Sequence, residues 1–258
     1  MLIDNYAYSN RLKDVHPAEK LYFAMTTMAM GFIPNIYLNM AIVSMMGALL
    51  VFNAKIPAKV FLKTLLLPLW FVLIGILTIM INAVPAGSSA LIKFSLLGIT
   101  LGITQESIKA SAVLFSRSLA MVCCLYFLAF TTPMVDIFIV LRSMKVPGLF
   151  LELMELVYRF LFVLMETSER IYISQSSRLG YMNAGTAVRS LGRLISSLFI
   201  KAWKDSESLY TALEARGYEG EVKVLTKKFP ISIKNIFLIT SVEFLLLVFA
   251  WLSGGGAR

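Results

Sequence analysis

LFLELMELVYRFLFVLMETSERIYISQSSRLG, residues 149–180, and AVRSLGRLISSLFIKAWKDSESLYTALEARG, residues 187–217, decide how this chain is read. Each reads as one long amphipathic helix that closes on an arginine tripeptide. In the first, Glu152, Glu155, Arg159, Glu166, Glu169 and Arg170 recur at helical spacing, so they line one face of an otherwise apolar rod. In the second, Val188, Leu191, Ile195, Leu198, Ala202, Leu209 and Leu213 oppose Arg189, Arg193, Ser197, Lys201, Lys204, Glu207 and Glu214. The acid-then-base pairs Glu155 with Arg159 and Glu166 with Arg170 lie four residues apart and each add about 0.2–0.5 kcal/mol to a helix. The ends of the two helices, Ser177-Arg178-Leu179-Gly180 and Glu214-Ala215-Arg216-Gly217, are the candidate functional residues. Gly217 also fits a left-handed helix cap, a role that needs no function.

Outward from this pair the chain is greasy. Of 258 residues, 58% are hydrophobic and 15% charged, with a mean hydropathy of +0.78, well above the roughly 45–50% apolar content of soluble domains. That composition is the mark of an integral membrane protein. The net charge of +9 then reads as a topology signal and as attraction to the anionic lipid of the cytoplasmic leaflet, and no nucleic-acid partner is expected. Cys123 and Cys124 are adjacent and have no partner elsewhere, so neither a disulfide framework nor a thiolate metal site is expected. The polar first twenty residues do not resemble a signal peptide, so insertion is expected to use the internal spans.

The expected organisation is all-α, with about five transmembrane helices and a cytoplasmic module of long helices. Region 1–131 holds spans at 20–33, 36–53, 64–84 and 110–131; region 132–230 holds the amphipathic helices; 231–258 is a last span with a tail. Gly31-Phe32-Ile33-Pro34-Asn35 makes the turn of a first hairpin. Lys55, Lys59 and Lys63 place the next loop inside the cell, and Pro68 is expected in the first turn of the span that follows. Pro85-Ala86-Gly87-Ser88-Ser89 then lies outside. Parity assigns the segment 90–104: if it crossed along with 110–131 the arginine tips would fall outside, so it is expected to be re-entrant or interfacial. Arg117 is expected to snorkel or pair near the interface, and Glu243 to face protein or water. Met134–Met144 reads as a short surface helix before Val146-Pro147-Gly148. Gly220, Lys223, Lys227 and Lys228 form a basic connector that starts the last span in the cytoplasm.

Catalytic chemistry is hard to assemble. No GxxxxGK[ST] phosphate loop occurs, so the chain is not itself expected to be an ATPase. The single histidine, His16, precedes Pro17 and is expected to serve a turn, which leaves no clustered metal ligands and no base for a serine nucleophile. No catalytic residue, metal site or cofactor is expected. A membrane enzyme built from Glu243, Arg117 and Lys93 would need its substrate from the lipid, and a stand-alone channel would need a polar-lined pore helix.

Ala215-Arg216-Gly217 in the context ALEARGYEG (212–220), with Ser177-Arg178-Leu179-Gly180 upstream, resembles the paired Ala-Arg-Gly signatures of the transmembrane T component of energy-coupling factor (ECF) transporters. IDNYAYSNRLKDVHPAEK (3–20), TTPMVDIFIVLRSMKVP (131–147) and LVYRFLFVLMETSERI (156–171) resemble its cobalt-type branch, CbiQ. The first tip departs from the pattern, with Ser177 and Leu179 around Arg178. The resemblance implies a multi-pass scaffold in the prokaryotic plasma membrane that joins two cytoplasmic ABC ATPases, CbiO-like, to a substrate-binding membrane component, CbiM-like and in some cases with CbiN. In that arrangement Ser177, Arg178, Leu179, Gly180, Glu214, Ala215, Arg216 and Gly217 form the ATPase-coupling tips, and cobalt ions are the cargo. A T component for nickel, biotin or another vitamin is the alternative that the resemblance leaves open.

Overall fold

The computed structural model describes residues 2–80, 82–83, 92–96, 99–218, 229–230 and 232–254. The chain divides into two units, Met1–Ile137 with Lys228–Arg258, and Phe138–Lys227, and each has its own architecture.

The first unit is a helical bundle: α1 (Leu2–Ser9), α2 (Pro17–Met30), α3 (Ile36–Ala48, continued by a wider turn over Leu49–Asn53), α4 (Ala58–Met80), α5 (Gln105–Thr131) and α9 (Ile233–Gly254). Among the described residues four stretches are long and apolar enough to cross a bilayer: Ile36–Asn53, Ala58–Met80, Gln105–Thr131 and Ile233–Ser253. The chain is an all-α integral membrane protein, with three short strands among the described residues. The expected span at 20–33 is helix α2, whose 14 residues reach only about 21 Å. Strands β1 (Asn82–Ala83), β2 (Ile92–Leu96) and β3 (Ile99–Ile103) form an antiparallel sheet in the order β1-β3-β2, so the segment 90–104 is a strand pair over 92–96 and 99–103. The expected outer loop at 85–89, the basic connector residues 220, 223, 227 and 228, and the tail beyond residue 254 lie outside the described residues.

Helix α3 is apolar around most of its surface, Asn39 and Ser44 excepted, and occupies the centre of this unit. Leu38, Ile42 and Met46, spaced four apart, are fully buried, as is Leu50 one turn on. They share a core with Phe23 of α2 and with Cys123, Phe127 and Phe130 of α5. Between lipid-embedded helices, close packing and hydrogen bonds do the holding, because hydrocarbon already solvates apolar side chains. Polar side chains accordingly close helix ends across the bundle. Lys20 Nζ donates to the Thr131 carbonyl (2.9 Å) and Asn10 Nδ2 to the Phe130 carbonyl (3.2 Å), satisfying the last carbonyls of α5. The Glu19 carboxylate accepts from the Ser232 amide (2.8 Å) and Asn235 Nδ2 (3.0 Å), a cap and counter-charge for the N-terminus of α9 supplied from another helix. At the opposite ends of these helices, Asn35 caps α3 and donates to Ser253 Oγ at 2.7 Å.

Two expectations about single residues change. Pro68 lies deep inside α4 rather than in its first turn, because the helix begins at Ala58. A proline there leaves the carbonyl four residues back, that of Thr64, without its amide donor. The Tyr126 hydroxyl of α5 donates to that carbonyl at 3.1 Å, which is how the proline is tolerated in a membrane helix. Glu155 pairs with Arg142 at 3.5 Å rather than with Arg159, whereas Glu166 and Arg170 do pair, at 2.6 Å. His16 accepts from the Ala18 amide through Nδ1 (3.1 Å), capping α2 ahead of Pro17. Arg117 donates to the Phe32 carbonyl (2.9 Å), and Glu243, almost fully buried, accepts from the Thr26 hydroxyl.

The second unit holds the end of α6 (Met134–Ser143), then α7 (Gly148–Ser177) and α8 (Ala184–Ala215). Phe138 of α6 meets the Tyr158 ring of α7 edge-on, with centroids 6.1 Å apart.

Candidate functional site

Helix α7 ends at Ser177 and α8 at Ala215, so each arginine is the residue that follows the last helical turn. The backbone then closes both helices in the same way. At the first tip the Leu179 amide donates to the Ser176 carbonyl (3.0 Å) and the Gly180 amide to the Gln175 carbonyl (2.9 Å). At the second the Gly217 amide donates to the Glu214 carbonyl (3.0 Å) and the Tyr218 amide to the Leu213 carbonyl (3.1 Å). These are the paired six-to-one and five-to-two bonds of a Schellman motif, with a left-handed residue just past the cap. That residue is Leu179, φ 60°, in one tip and Gly217, φ 73°, in the other. Arg178 and Arg216 therefore occupy equivalent positions, and both are exposed. The Ser-Arg-Leu tip departs from Ala-Arg-Gly in sequence but not in backbone.

The two glycines serve different ends. A Cβ on Gly217 would meet nothing within 4 Å, so its requirement is the positive φ alone. A Cβ on Gly180 would lie 2.8 Å from both the Gln175 carbonyl oxygen and Ser190 Oγ, so its requirement is space. Around it, Gln175 Nε2 donates to the Ser190 carbonyl (3.1 Å), Tyr181 Oη donates to Gln175 Oε1 (2.7 Å) and Ser190 Oγ donates to the Gly180 carbonyl (2.9 Å). The Tyr181 ring lies against Tyr172 with centroids 4.7 Å apart. The sequence motif did not reveal Gln175, Tyr181 or Ser190; their polarity and aromaticity in a tip region were the available signals.

At the second tip Tyr218 Oη donates to Glu152 Oε2 at 2.9 Å, joining the end of α8 to the second turn of α7. The two helices are thus antiparallel, and their arginine tips stand at opposite ends of the pair. With 32 residues in α8, that separation is about 48 Å. Glu214 sits one turn from Tyr210, and its hydrogen bond and negative charge hold the Tyr210 phenol above the usual tyrosine range. Each tip presents a planar arginine fork with several donors, suited to a carboxylate or the carbonyls of a helix C-terminus. Among the described residues no group of three His, Cys, Asp or Glu side chains comes together.

Comparison with known proteins matches residues 9–227 to the family model of the cobalt transport protein CbiQ. A protein of Methanocaldococcus jannaschii described as uncharacterized is 35% identical over 98% of this chain and 93% of its own length. A candidate fused cobalt transport protein, CbiMQ, of Methanocorpusculum labreanum is 31% identical over 95% of this chain, which spans 42% of that longer protein. The energy-coupling factor transporter transmembrane protein EcfT of Listeria innocua is 28% identical over 85% of each chain. With its apolar spans and its two arginine-capped helices, this chain belongs to the CbiQ family of cobalt transport proteins, as a multi-pass transmembrane component of a prokaryotic ECF-type transporter.

Proposed function

We propose that the chain is the energy-coupling scaffold of an ATP-driven importer, and that Arg178 and Arg216 each anchor one CbiO-like ABC ATPase. The observation that carries this reading is the placement of two exposed arginines at the same capping position on opposite ends of one antiparallel helix pair. Tips about 48 Å apart serve two docking grooves and not one. Ser177, Leu179, Gly180, Glu214, Ala215 and Gly217 shape the backbone that presents the arginines. Closure of the ATPases on nucleotide would displace the tips, and the helix pair would pass that displacement to a CbiM-like substrate-binding membrane component. The fusion of CbiM to CbiQ in the matched Methanocorpusculum protein supports that partner, and with it cobalt ions as cargo. The match to an EcfT protein, whose description names no substrate, favours as a second reading a T component for nickel or a vitamin such as biotin.

The same proposal puts the tips in the cytoplasm. The strands at Ile92–Leu96 and Ile99–Ile103 have five residues each, about half the 9–11 that a crossing strand needs, which supports a non-crossing segment there. Labelling of a Ser253→Cys variant from the cytoplasmic side would overturn this topology.

Gentle solubilisation of the tagged chain from its native membrane, followed by mass spectrometry, tests the docking. ATPase subunits and a metal-binding membrane protein are expected to co-purify, and the ATPases to be lost from Arg178→Glu, Arg216→Glu. Removing one partner of a buried charge-assisted contact costs about 2–5 kcal/mol at an interface. Unchanged assembly in the double variant would sink the proposal.

A further inference from the structure

We infer that the Gln175–Tyr181–Ser190 cluster is a brace that positions Arg178 and makes α7 and α8 move as one strut, so that displacement of one tip reaches the other. The inference rests on the docking reading above. A Schellman end by itself needs no brace: the second tip has the same backbone bonds with open space around Gly217. The first tip adds a second set of bonds that run between helices. The Gln175 carboxamide spends both of its ends, Nε2 on the Ser190 carbonyl of α8 (3.1 Å) and Oε1 on the Tyr181 hydroxyl of the connection (2.7 Å). Its backbone carbonyl takes the Gly180 amide (2.9 Å), and the Gly180 carbonyl takes Ser190 Oγ (2.9 Å). One residue of α7 thus holds the connection and the second turn of α8 together.

A turn with free torsions between two helices is a hinge, and a hinge absorbs motion. Here the connection is bonded on both sides, and Gly180 is packed too tightly to accept even a methyl group. The Tyr218–Glu152 bond closes the other end of the pair. An antiparallel pair tied at both ends moves as a unit, because bending it at either end breaks bonds among half-buried groups. Gln175, Tyr181 and Ser190 are positioning residues, acting on the partner through Arg178.

The test uses the assembled complex in proteoliposomes, with Co2+ as the probe ion, and reads ion uptake per ATP hydrolysed. For Gln175→Ala, ATPase subunits are expected to stay bound while uptake per ATP falls at least about fivefold, the low end of site-to-site coupling effects. Tyr181→Phe and Ser190→Ala, each lacking one hydroxyl, are expected to lower the same ratio in the same direction. A merely structural role would lower hydrolysis and uptake together, through less assembled complex, and leave the ratio unchanged. Independently of the ion carried, spin labels on Glu169→Cys and Ser196→Cys, both exposed positions, read the α7–α8 separation. One narrow distance distribution with and without ATP is expected, broadened by Gln175→Ala. An unaltered ratio or an unaltered distribution in Gln175→Ala, while Arg178→Glu, Arg216→Glu still releases ATPase, overturns the brace and leaves the docking intact. If that double variant keeps its ATPases, the docking itself fails, and the brace with it.

Discussion

The two arginine tips share a backbone and differ in everything around it. Both end in the same paired amide-to-carbonyl bonds, both put an arginine at the cap, and both follow it with a left-handed residue. At the second tip that residue is glycine with open space around it, and a side-chain bond from Tyr218 ties the end to α7. At the first it is leucine, and the neighbouring glycine is enclosed by a carbonyl and a hydroxyl. The comparison teaches that the position of the arginine, set by how a helix ends, is what the two tips have in common. The glycine of the Ala-Arg-Gly signature is one means of ending the helix there, and Leu179 at φ 60° is another.

Substitution of the arginines is the harshest test of their equivalence. Arg178→Glu and Arg216→Glu, taken singly, are each expected to weaken docking of one ATPase by about 2–5 kcal/mol. Native mass spectrometry should then find complexes with one ATPase in both single variants. Loss of both ATPases from one single variant and none from the other would break the symmetry. The glycines test the difference between the tips. Gly180→Ala must displace a backbone carbonyl and is expected to cost about 1–3 kcal/mol of stability, whereas Gly217→Ala meets only its φ and costs about 1–2 kcal/mol. Thermal unfolding in detergent orders the two, and a larger loss at Gly217 would show that space is not what Gly180 provides. Tyr218→Phe removes one hydrogen bond to the buried Glu152 carboxylate, for about 1–1.5 kcal/mol in the same assay. The smallest effect expected is a gain: Leu179→Gly relieves a left-handed leucine whose side chain is 67% exposed, and should stabilise by about 1 kcal/mol. A loss there would mean that the Leu179 side chain makes a stabilising contact within the chain that outweighs its left-handed backbone.

The membrane unit shows the same division between local rule and distant partner. The spans were legible because about 18–20 apolar residues in a row have few alternatives to crossing a bilayer. The place of Pro68 is not legible in the sequence, because the basic residues Lys59 and Lys63 suggest a loop, yet they belong to the first turns of α4. Their long stems let charged ends reach the interface while the backbone stays helical. Glu155 chose Arg142 over Arg159 because α6 lies beside it, and no spacing along one helix encodes that.

Sequence alone was enough for most of the long apolar helices and for the two long amphipathic helices with the residues at which they stop, though not for the helix at Pro17–Met30, which is shorter than a span, or for the start of α4. Those features follow from contacts three to five positions apart along the chain, which periodicity and capping residues record. Tertiary structure alone decided that Tyr126 serves the carbonyl freed by Pro68, that Glu19 caps α9, that Tyr218 reaches Glu152 and that Gln175 binds Ser190. Those pairs are 62, 213, 66 and 15 residues apart, and each is selected by where packed helices bring one unsatisfied polar group to another.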